Sequence, residues 1–483
     1  MNGDRRALRI AVVGGGLTGL SAAHYIRKGL EERNLEGELV LVEAGKRLGG
    51  RIETLRKDGF TIEKGPDSFL ARKLPILELT RELGLLDELV RTNPQAAKTY
   101  IYQGGQLHPM PPKLVLGVPA DMASFLKTEL LGTDSKFRAS CDLLLAPRPD
   151  DGEDESVGAF LERRMGPDIV DRISEPLLAG IYAGDLYNLS LAATFPQFRR
   201  AELQHGSLIR GSRAGSRGAA PAAPPDYLPE SVKGSVFMTY RHGLRTLVEG
   251  LERSLEGVRI LMGTAVASIR ESVGEGCRYE LELGSGERLE ADAVIVTAPS
   301  QAAASMLEPL ADMSELREVK YVSVANVVMA FTRRDVECME FDGSGFLVPR
   351  SEGRTITACT WTSSKWLHSS PSDHVLLRCY VGRAGAEEAV ELSDEELTAA
   401  VLRDVKDTMG IEARPLFTEI TRLRHSMPQY PVGHVAAMGR LRARMAQQTP
   451  GVYATGAAFD GVGLPDCIRQ GREAAQHVLG LFQ

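Results

Sequence analysis

Three glycines, Gly14, Gly16 and Gly19, stand at a spacing that lets a backbone wrap an anion. They follow the apolar run Ile10 to Val13 and precede Leu20 to Leu30, which reads as a helix. Strand, tight turn and helix start in that order make a phosphate-binding loop. The first glycine permits the turn, the second brings the chain close to a pyrophosphate, and the third lets helix pack on strand. Gly15, Leu17 and Thr18 complete the loop, and the amides at the helix start face the anion. A second strand-like run, Glu38 to Val42, ends in Glu43, close to the ~20-residue distance at which an acid takes ribose hydroxyls. In a chain with 49 glycines the triplet alone is weak evidence. The whole succession specifies a dinucleotide-binding unit.

Two further segments bear on which dinucleotide is bound. Glu43-Ala-Gly-Lys-Arg-Leu-Gly-Gly-Arg51 is another glycine-lined loop, containing Ala44 and flanked by Arg47 and Arg51. Arg51 is suited to a diphosphate, because a guanidinium matches two phosphate oxygens in one plane. At the other end, Gly451 to Gly456 reads as a strand and Asp466 to Phe482 as a helix. The amides of Val462, Gly463 and Leu464 would lie at that helix's positive end, where negative charge on a reduced ring is stabilised. A nicotinamide enzyme needs only the first loop. The E-A-x-x-R-x-G-G-R string resembles the flavin-containing amine oxidase superfamily, in which it contacts FAD.

Composition sets outer limits. A chain of 483 residues with 43% hydrophobic content suits two or three globular domains. A net charge of -7 argues against nucleic acid as a partner, since a phosphate backbone calls for a basic face. The cysteines at 141, 277, 338, 359, 379 and 467 form no C-x-x-C pair and have no histidine at ligand spacing, so they read as reduced thiols of a cytosolic protein, with no metal. H-E-x-x-H and G-x-S-x-G strings do not occur, which removes support for zinc and elbow-type serine hydrolysis. The polar start runs straight into the first strand without room for a signal peptide, and no run of roughly 18 apolar residues could span a bilayer.

The expected fold class is α/β (α+β), with a Rossmann-like cofactor domain built from separated segments, an antiparallel-sheet substrate domain and a helical insertion. Residues 1–92 form the first cofactor segment, 93–205 a helical unit facing the substrate entrance or a membrane, 206–235 a flexible linker, 236–300 the second cofactor segment, 301–420 the substrate domain and 421–483 the third cofactor segment. Within these, Lys73 to Val90 reads as a helix stopped near Gly84, and Tyr100 to His108 as a hairpin. Met122, Phe125, Leu126 and Leu130 would share one helix face; core packing is the favoured reading over a membrane or entrance surface. The stretch around Gly211, Gly215, Gly218, Pro221 and Pro224 has too few large apolar groups to stay ordered. Val266 is either an adenine contact or a plain strand valine. Val322 to Phe331, Gly345 to Pro349, Thr355 to Trp361 and Val375 to Val381 are strands, followed by a helix from Ser393 to Met409.

A closer resemblance emerges from Arg-Leu-Gly-Gly-Arg51, Glu63-Lys-Gly-Pro-Asp-Ser68 with the Phe-Leu-Ala-Arg-Lys73 that follows, Leu107-His-Pro-Met-Pro, Glu175-Pro-Leu-Leu-Ala-Gly-Ile-Tyr-Ala-Gly-Asp185, Ser426-Met-Pro-Gln-Tyr430 and Gly461-Val-Gly-Leu-Pro-Asp-Cys-Ile468. Together these resemble the FAD-dependent, oxygen-using porphyrinogen oxidases of haem synthesis. The Gram-positive type, which favours coproporphyrinogen III, is most similar. The resemblance implies six-electron oxidation of a porphyrinogen to a porphyrin in three flavin cycles, each releasing hydrogen peroxide, with the flavin N5 and no catalytic side chain taking the hydride. It assigns Gly65, Pro66, Asp67, Ser68 and Leu423 to the flavin, Lys73 to a substrate propionate and Ile181 to the tetrapyrrole face. Asp67 replaces an arginine of the mitochondrial enzymes, and Leu423 replaces a tryptophan of near relatives. A cytoplasmic enzyme follows, with at most peripheral contact at the inner face of the membrane and transient contact with other haem-pathway enzymes. Protoporphyrinogen IX oxidation, a flavin amine oxidase or desaturase activity, and a non-catalytic flavin-binding role stay open as alternatives.

Overall fold

The computed structural model describes residues 7–115, 117–218, 225–273 and 277–482. Its first layer is a five-stranded parallel sheet, in which Arg259–Met262, Gly37–Glu43, Leu8–Val13, Ala293–Val296 and Val452–Ala454 lie side by side. The strand cores are continuous apolar runs because both faces are covered. Ile10, Val12, Leu39, Leu41 and Ile295 pack under the helices Leu17–Glu32, Arg245–Ser254 and Leu464–Gly480. Ala11, Val13, Val40, Val42 and Val294 pack beneath a three-stranded antiparallel meander, Val266–Glu271, Tyr279–Leu283 and Arg288–Ala291. The separated segments thus build one Rossmann-like layer.

The first helix begins at Leu17, with Gly16 as its N-cap, not at Leu20. Gly19 therefore lies inside the first helical turn, where a Cβ would drive into the Gly14 carbonyl oxygen. The last helix likewise starts at Leu464, two residues before the expected Asp466.

The second sheet has seven strands in the order Phe417–Pro428, Tyr321–Thr332, His374–Val381, Ile356–Trp361, Gly343–Leu347, Lys98–Gln103 and Gln106–Pro109. It is antiparallel except where Gly343–Leu347 runs parallel to Lys98–Gln103. The expected hairpin exists, but it belongs to this sheet and not to the helical unit of 93–205. Tyr100 explains the placement: its hydroxyl donates to Asp342 at 2.7 Å and its ring lies 5.6 Å from that of Trp361. The strand Phe417–Pro428 also crosses the expected boundary at 420, because its register with Tyr321–Thr332 is continuous over most of its length. The helix Asp394–Met409, closed at its start by a Ser393/Glu396 capping box, covers the far face of this sheet.

The helical unit has its own core. Phe125 and Leu130 are buried in it while Leu126 points out, which divides the expected stripe between core and surface. Asp142, Arg164 and Glu202 are fully buried at its centre. Arg164 donates to Asp142 Oδ1 at 2.6 Å and to the Asp142 carbonyl at 2.8 Å, and its Nη1 lies 3.5 Å from Glu202.

The flexible linker of 206–235 is corrected over its first half. Residues Leu208–Gly218 form a helix whose Leu208 and Ile209 are buried, while Ser207 Oγ donates to Asp142 at 2.5 Å. A Cβ on Gly211 would stand 2.6 Å from that of Ala201, so this glycine serves close helix packing rather than flexibility. Residues 219–224, with Pro221 and Pro224, lie outside the described residues.

Arg164→Met is expected to destabilise the protein by about 3–5 kcal/mol, since it leaves the buried Asp142 carboxylate without its cation, while Glu202 keeps Arg163 and Arg199. Urea unfolding of the variant beside the unsubstituted protein checks this.

Candidate cofactor and substrate site

The parallel strands end at one edge, where Val13, Glu43, Val296 and Ala454 deliver the chain into loops. In an open parallel sheet a ligand binds outside these carboxyl ends. Two helices start at the same edge. Along their shared length Gly471 meets the Thr18 carbonyl and Gly29 meets Leu479, so Leu17–Glu32 and Leu464–Gly480 run in the same direction. Neither has a side chain capping its start: Gly16 and Gly463 occupy the N-cap positions. Their first-turn amides have no partner within the helix, so the edge carries two partial positive charges and bare donors.

The lining of this recess fits a dinucleotide. Gly14 has φ +108°, and a Cβ on it would lie 2.6 Å from Thr297 Oγ1. A Cβ on Gly16 would meet only Gly50 Cα, at 3.9 Å, so the space over Gly16 is open. Glu43 is fixed beside the loop, accepting from the amides of Gly15 at 2.5 Å and Gly45 at 2.6 Å. Each of its oxygens has a further lone pair for a ribose hydroxyl. Ala44, next in sequence, is exposed.

The two loop arginines divide the work. Arg47 holds the loop together through the carbonyls of Gly50 and Ile52 and an ion pair with Glu53 at 3.0 Å. Arg51 has one hydrogen bond, to the His425 carbonyl at 3.3 Å, and no carboxylate partner among the described residues. An unneutralised guanidinium on the loop whose Gly50 lies against Gly16 suits a diphosphate.

Residues 63–68 cross between the two sheets. Asn326 donates to the Lys64 carbonyl at 3.1 Å and Arg378 donates to that of Gly65. A Cβ on Gly65 would strike the Arg51 carbonyl, which brings the Gly65-Pro66 backbone against the second glycine loop. The Asp67 and Ser68 side chains face other partners: Ser68 Oγ donates to Asp67 at 2.8 Å and Lys365 pairs with Asp67 at 3.2 Å. This stretch therefore offers a cofactor its backbone, not the Asp67 carboxylate.

Leu423 pairs with Val324 across the strands and lies two residues from the carbonyl that Arg51 touches. The Thr264 amide donates to the Glu43 carbonyl at 2.9 Å, so Val266 begins its strand close to Glu43. The structure thus brings the two glycine loops, Glu43, Gly65, Leu423 and Val462 to Leu464 to one recess. Lys73 reaches the same region, but its Nζ pairs with Asp466 in the first turn of the last helix at 2.9 Å. Ile181 is 44% exposed, an open apolar surface on the short helix Gly180–Tyr182.

Sequence reading missed the polar residues under this loop. A cavity of about 20 Å³, lined by Glu63, Asp67, Thr239, Trp366, His368 and Arg378 among others, lies there and has room for one water. Burial pushes Glu63 up to about 8, although the Leu244 amide and Thr54 hydroxyl donate to it. Burial also raises Asp67, but Lys365 and Arg378 outweigh it and hold that acid well below the usual carboxylate range. His368 is lowered to about 4, mainly by burial. At neutral pH an uncharged Glu63 and an uncharged His368 thus face one carboxylate and two cations. The signal lies in an arginine inside the apolar strand HVLLRCYV and an asparagine inside VSVANVVMAF, polar residues at positions otherwise buried and apolar.

Known proteins agree with this geometry. The family profile described as flavin containing amine oxidoreductase matches residues 17–479. The chain belongs to that family. Among curated relatives, the coproporphyrinogen III oxidase of Bacillus subtilis is 45% identical, with 97% of each chain covered. The coproporphyrinogen III oxidase of Staphylococcus aureus is 37% identical over 97% of this chain and 98% of its own. The chloroplastic protoporphyrinogen oxidase of Nicotiana tabacum is 30% identical over 99% and 87%. A crystal structure from Exiguobacterium, provisionally assigned as a protoporphyrinogen oxidase, superposes with a TM-score of 0.85 at 38% identity and covers 99% of both chains. The expected fold class, family and FAD dependence all hold. Among the described residues no helix is long and apolar enough to cross a membrane.

Arg51→Gln is expected to weaken FAD binding by about tenfold to a hundredfold, the worth of a charge-assisted hydrogen bond, as read by titrating apoprotein with FAD. Folded Glu63 keeps its proton up to about pH 8, against an ordinary value of 4.5, so the native state holds an extra proton in that window and stability falls as pH rises through it. Glu63→Gln should flatten this fall, which urea midpoints at about pH 5 and about pH 8 would register.

Proposed function

We propose that the protein oxidises coproporphyrinogen III to coproporphyrin III in haem synthesis, with oxygen as the electron acceptor and hydrogen peroxide as its product. The 45% identity to the Bacillus subtilis coproporphyrinogen III oxidase, extending over 97% of both chains, carries this reading. When bound, FAD would supply two-electron redox chemistry between the porphyrinogen and oxygen, needed three times for each porphyrin formed.

The chain's own residues bind, orient and shield. The amides of Gly16 to Thr18 and the Arg51 guanidinium hold the diphosphate, and Glu43 takes the ribose. The start of the last helix, Val462 to Leu464, places partial positive charge where the ring gains electrons. Asn326 and Arg378 clamp the Gly65-Pro66 backbone from the sheet below, which fixes its position relative to the glycine loops. Removal of a hydride from a methylene bridge needs no side-chain base, so the protein's task is alignment and exclusion of water. Ile181 supplies apolar surface for the macrocycle, and Lys73, at the ring end of the last helix, pairs with Asp466 in the absence of a propionate. The enzyme works in the cytoplasm, with at most peripheral membrane contact and transient contacts with neighbouring haem-pathway enzymes.

Protoporphyrinogen IX is the competing substrate, favoured by the chloroplastic relatives. Purified holoprotein is expected to convert colourless coproporphyrinogen III into fluorescent porphyrin with matching oxygen uptake and peroxide release, at a higher kcat/KM than for protoporphyrinogen IX. A reversed ratio would make protoporphyrinogen the substrate. Inertness toward both would refute the proposal.

A further inference from the structure

A tetrapyrrole carries an ionised rim, and Lys73 alone, half neutralised by Asp466, is too little positive charge to meet it. A second place where cations outnumber anions lies on the segment that carries Ile181. Residues Val170–Ala179 form a wide-pitch π-helix, which runs directly into Gly180–Tyr182. Glu175 on this segment faces two arginines of the substrate sheet's loops. Its Oε1 lies 3.6 Å from Arg350 Nε and 3.6 Å from Arg383 Nη1. Ala384, beside Arg383, donates its amide to the Ala183 carbonyl at 2.7 Å, which ties the turn of Arg383 to the residues just after Ile181.

The spacing of this cluster is the informative observation. Guanidinium and carboxylate groups that are fully engaged close to roughly 2.7–2.9 Å, commonly through two parallel bonds. Here both distances exceed hydrogen-bond reach, and both buried Glu175 carboxylate oxygens lack a well-formed hydrogen bond, with the Arg350 backbone N–H as the one donor among the described residues near enough to stabilise the charge. Arg350 spends one hydrogen bond on the Ala384 carbonyl at 3.1 Å, and Arg383 one long bond on that of Val348 at 3.4 Å. Burial pushes Glu175 up and Arg383 down, the directions expected of charges that lack full compensation. A buried charge left in that state is costly. A plain staple between the helical unit and the sheet would have closed to bonding distance. The Arg350 side chain is 43% exposed, so a ligand can reach it.

We infer that Arg350 and Arg383 form a carboxylate-binding rim for a propionate of the tetrapyrrole, with Glu175 as the loosely held counter-ion against which that propionate competes. This rests on the porphyrinogen reading, and it adds the residues that distinguish substrates. The exposed isoleucine supplies the flat apolar contact, and the paired arginines supply the complement to an acid at its edge. Coproporphyrinogen, with propionates on all four rings, draws more from such a rim than protoporphyrinogen, which has two.

Steady-state kinetics on holoprotein test the inference. Arg350→Gln should raise KM for coproporphyrinogen III by about tenfold or more, with a smaller effect on kcat, a smaller rise for protoporphyrinogen IX, and the flavin spectrum and melting temperature retained. Arg350→Lys should restore part of the loss. Glu175→Gln, which removes the internal competitor, should lower KM. Because Arg383 is buried, its substitution by Gln is read only beside a melting curve, and the Arg350 and Glu175 variants carry the decision. Unchanged KM in both of these, or a fall in melting temperature with KM unmoved, reduces the cluster to a staple and overturns the inference. Wild-type protein inert toward both porphyrinogens would instead overturn the functional reading, and the inference with it.

Discussion

The architecture depends on one electrostatic arrangement: two parallel helices begin side by side at the carboxyl edge of a parallel sheet, and neither start is capped by a side chain. Uncapped amides are costly to leave dry. An acceptor has to be supplied from outside the chain, and a flavin dinucleotide offers negative charge at both its diphosphate and its reduced ring. The glycines serve this arrangement twice, at Gly16, where the wall must be bare, and at Gly471, where the helices touch at the Thr18 carbonyl. A side chain at either place would separate the helix starts or fill the recess.

Around that centre the protein uses buried charge in two contrasting ways. Asp142, Arg164 and Glu202 are buried with bonded geometry, the arginine saturated by carboxylates and carbonyls, and they fix the helical unit as a solid body. Glu175, Arg350 and Arg383 lie at the border of that body with distances that remain open. The first group is complete as it stands. The second is incomplete, and that difference, more than the presence of arginine, marks it as a place for a ligand.

Much of this was legible in the chain. The glycine loops, Glu43, Arg51 and the glycine-led last helix are local signals, since each depends on neighbours in sequence. Less legible was everything set by contacts between distant residues. Nothing in Lys98 to Pro109 shows that its strands join Gly343–Leu347, because pairing depends on the far partner. The composition around Gly211 points to disorder, yet Ser207 and Ile209 anchor that helix on Asp142, more than sixty residues earlier. The tasks of Lys73 and Arg378 are hidden for the same reason: Asp466 and the Gly65 carbonyl, to which they bind, lie far along the chain.

The order of strands in the parallel sheet has a consequence for biogenesis. Leu8–Val13 sits at its centre, but the neighbour that completes the opposite edge is Val452–Ala454, and the second uncapped helix follows it. A nascent chain therefore carries the first glycine loop from the start, while the second uncapped helix is among the last segments to be made. The recess is complete only once the segment from Val452 to the last helix has joined the sheet.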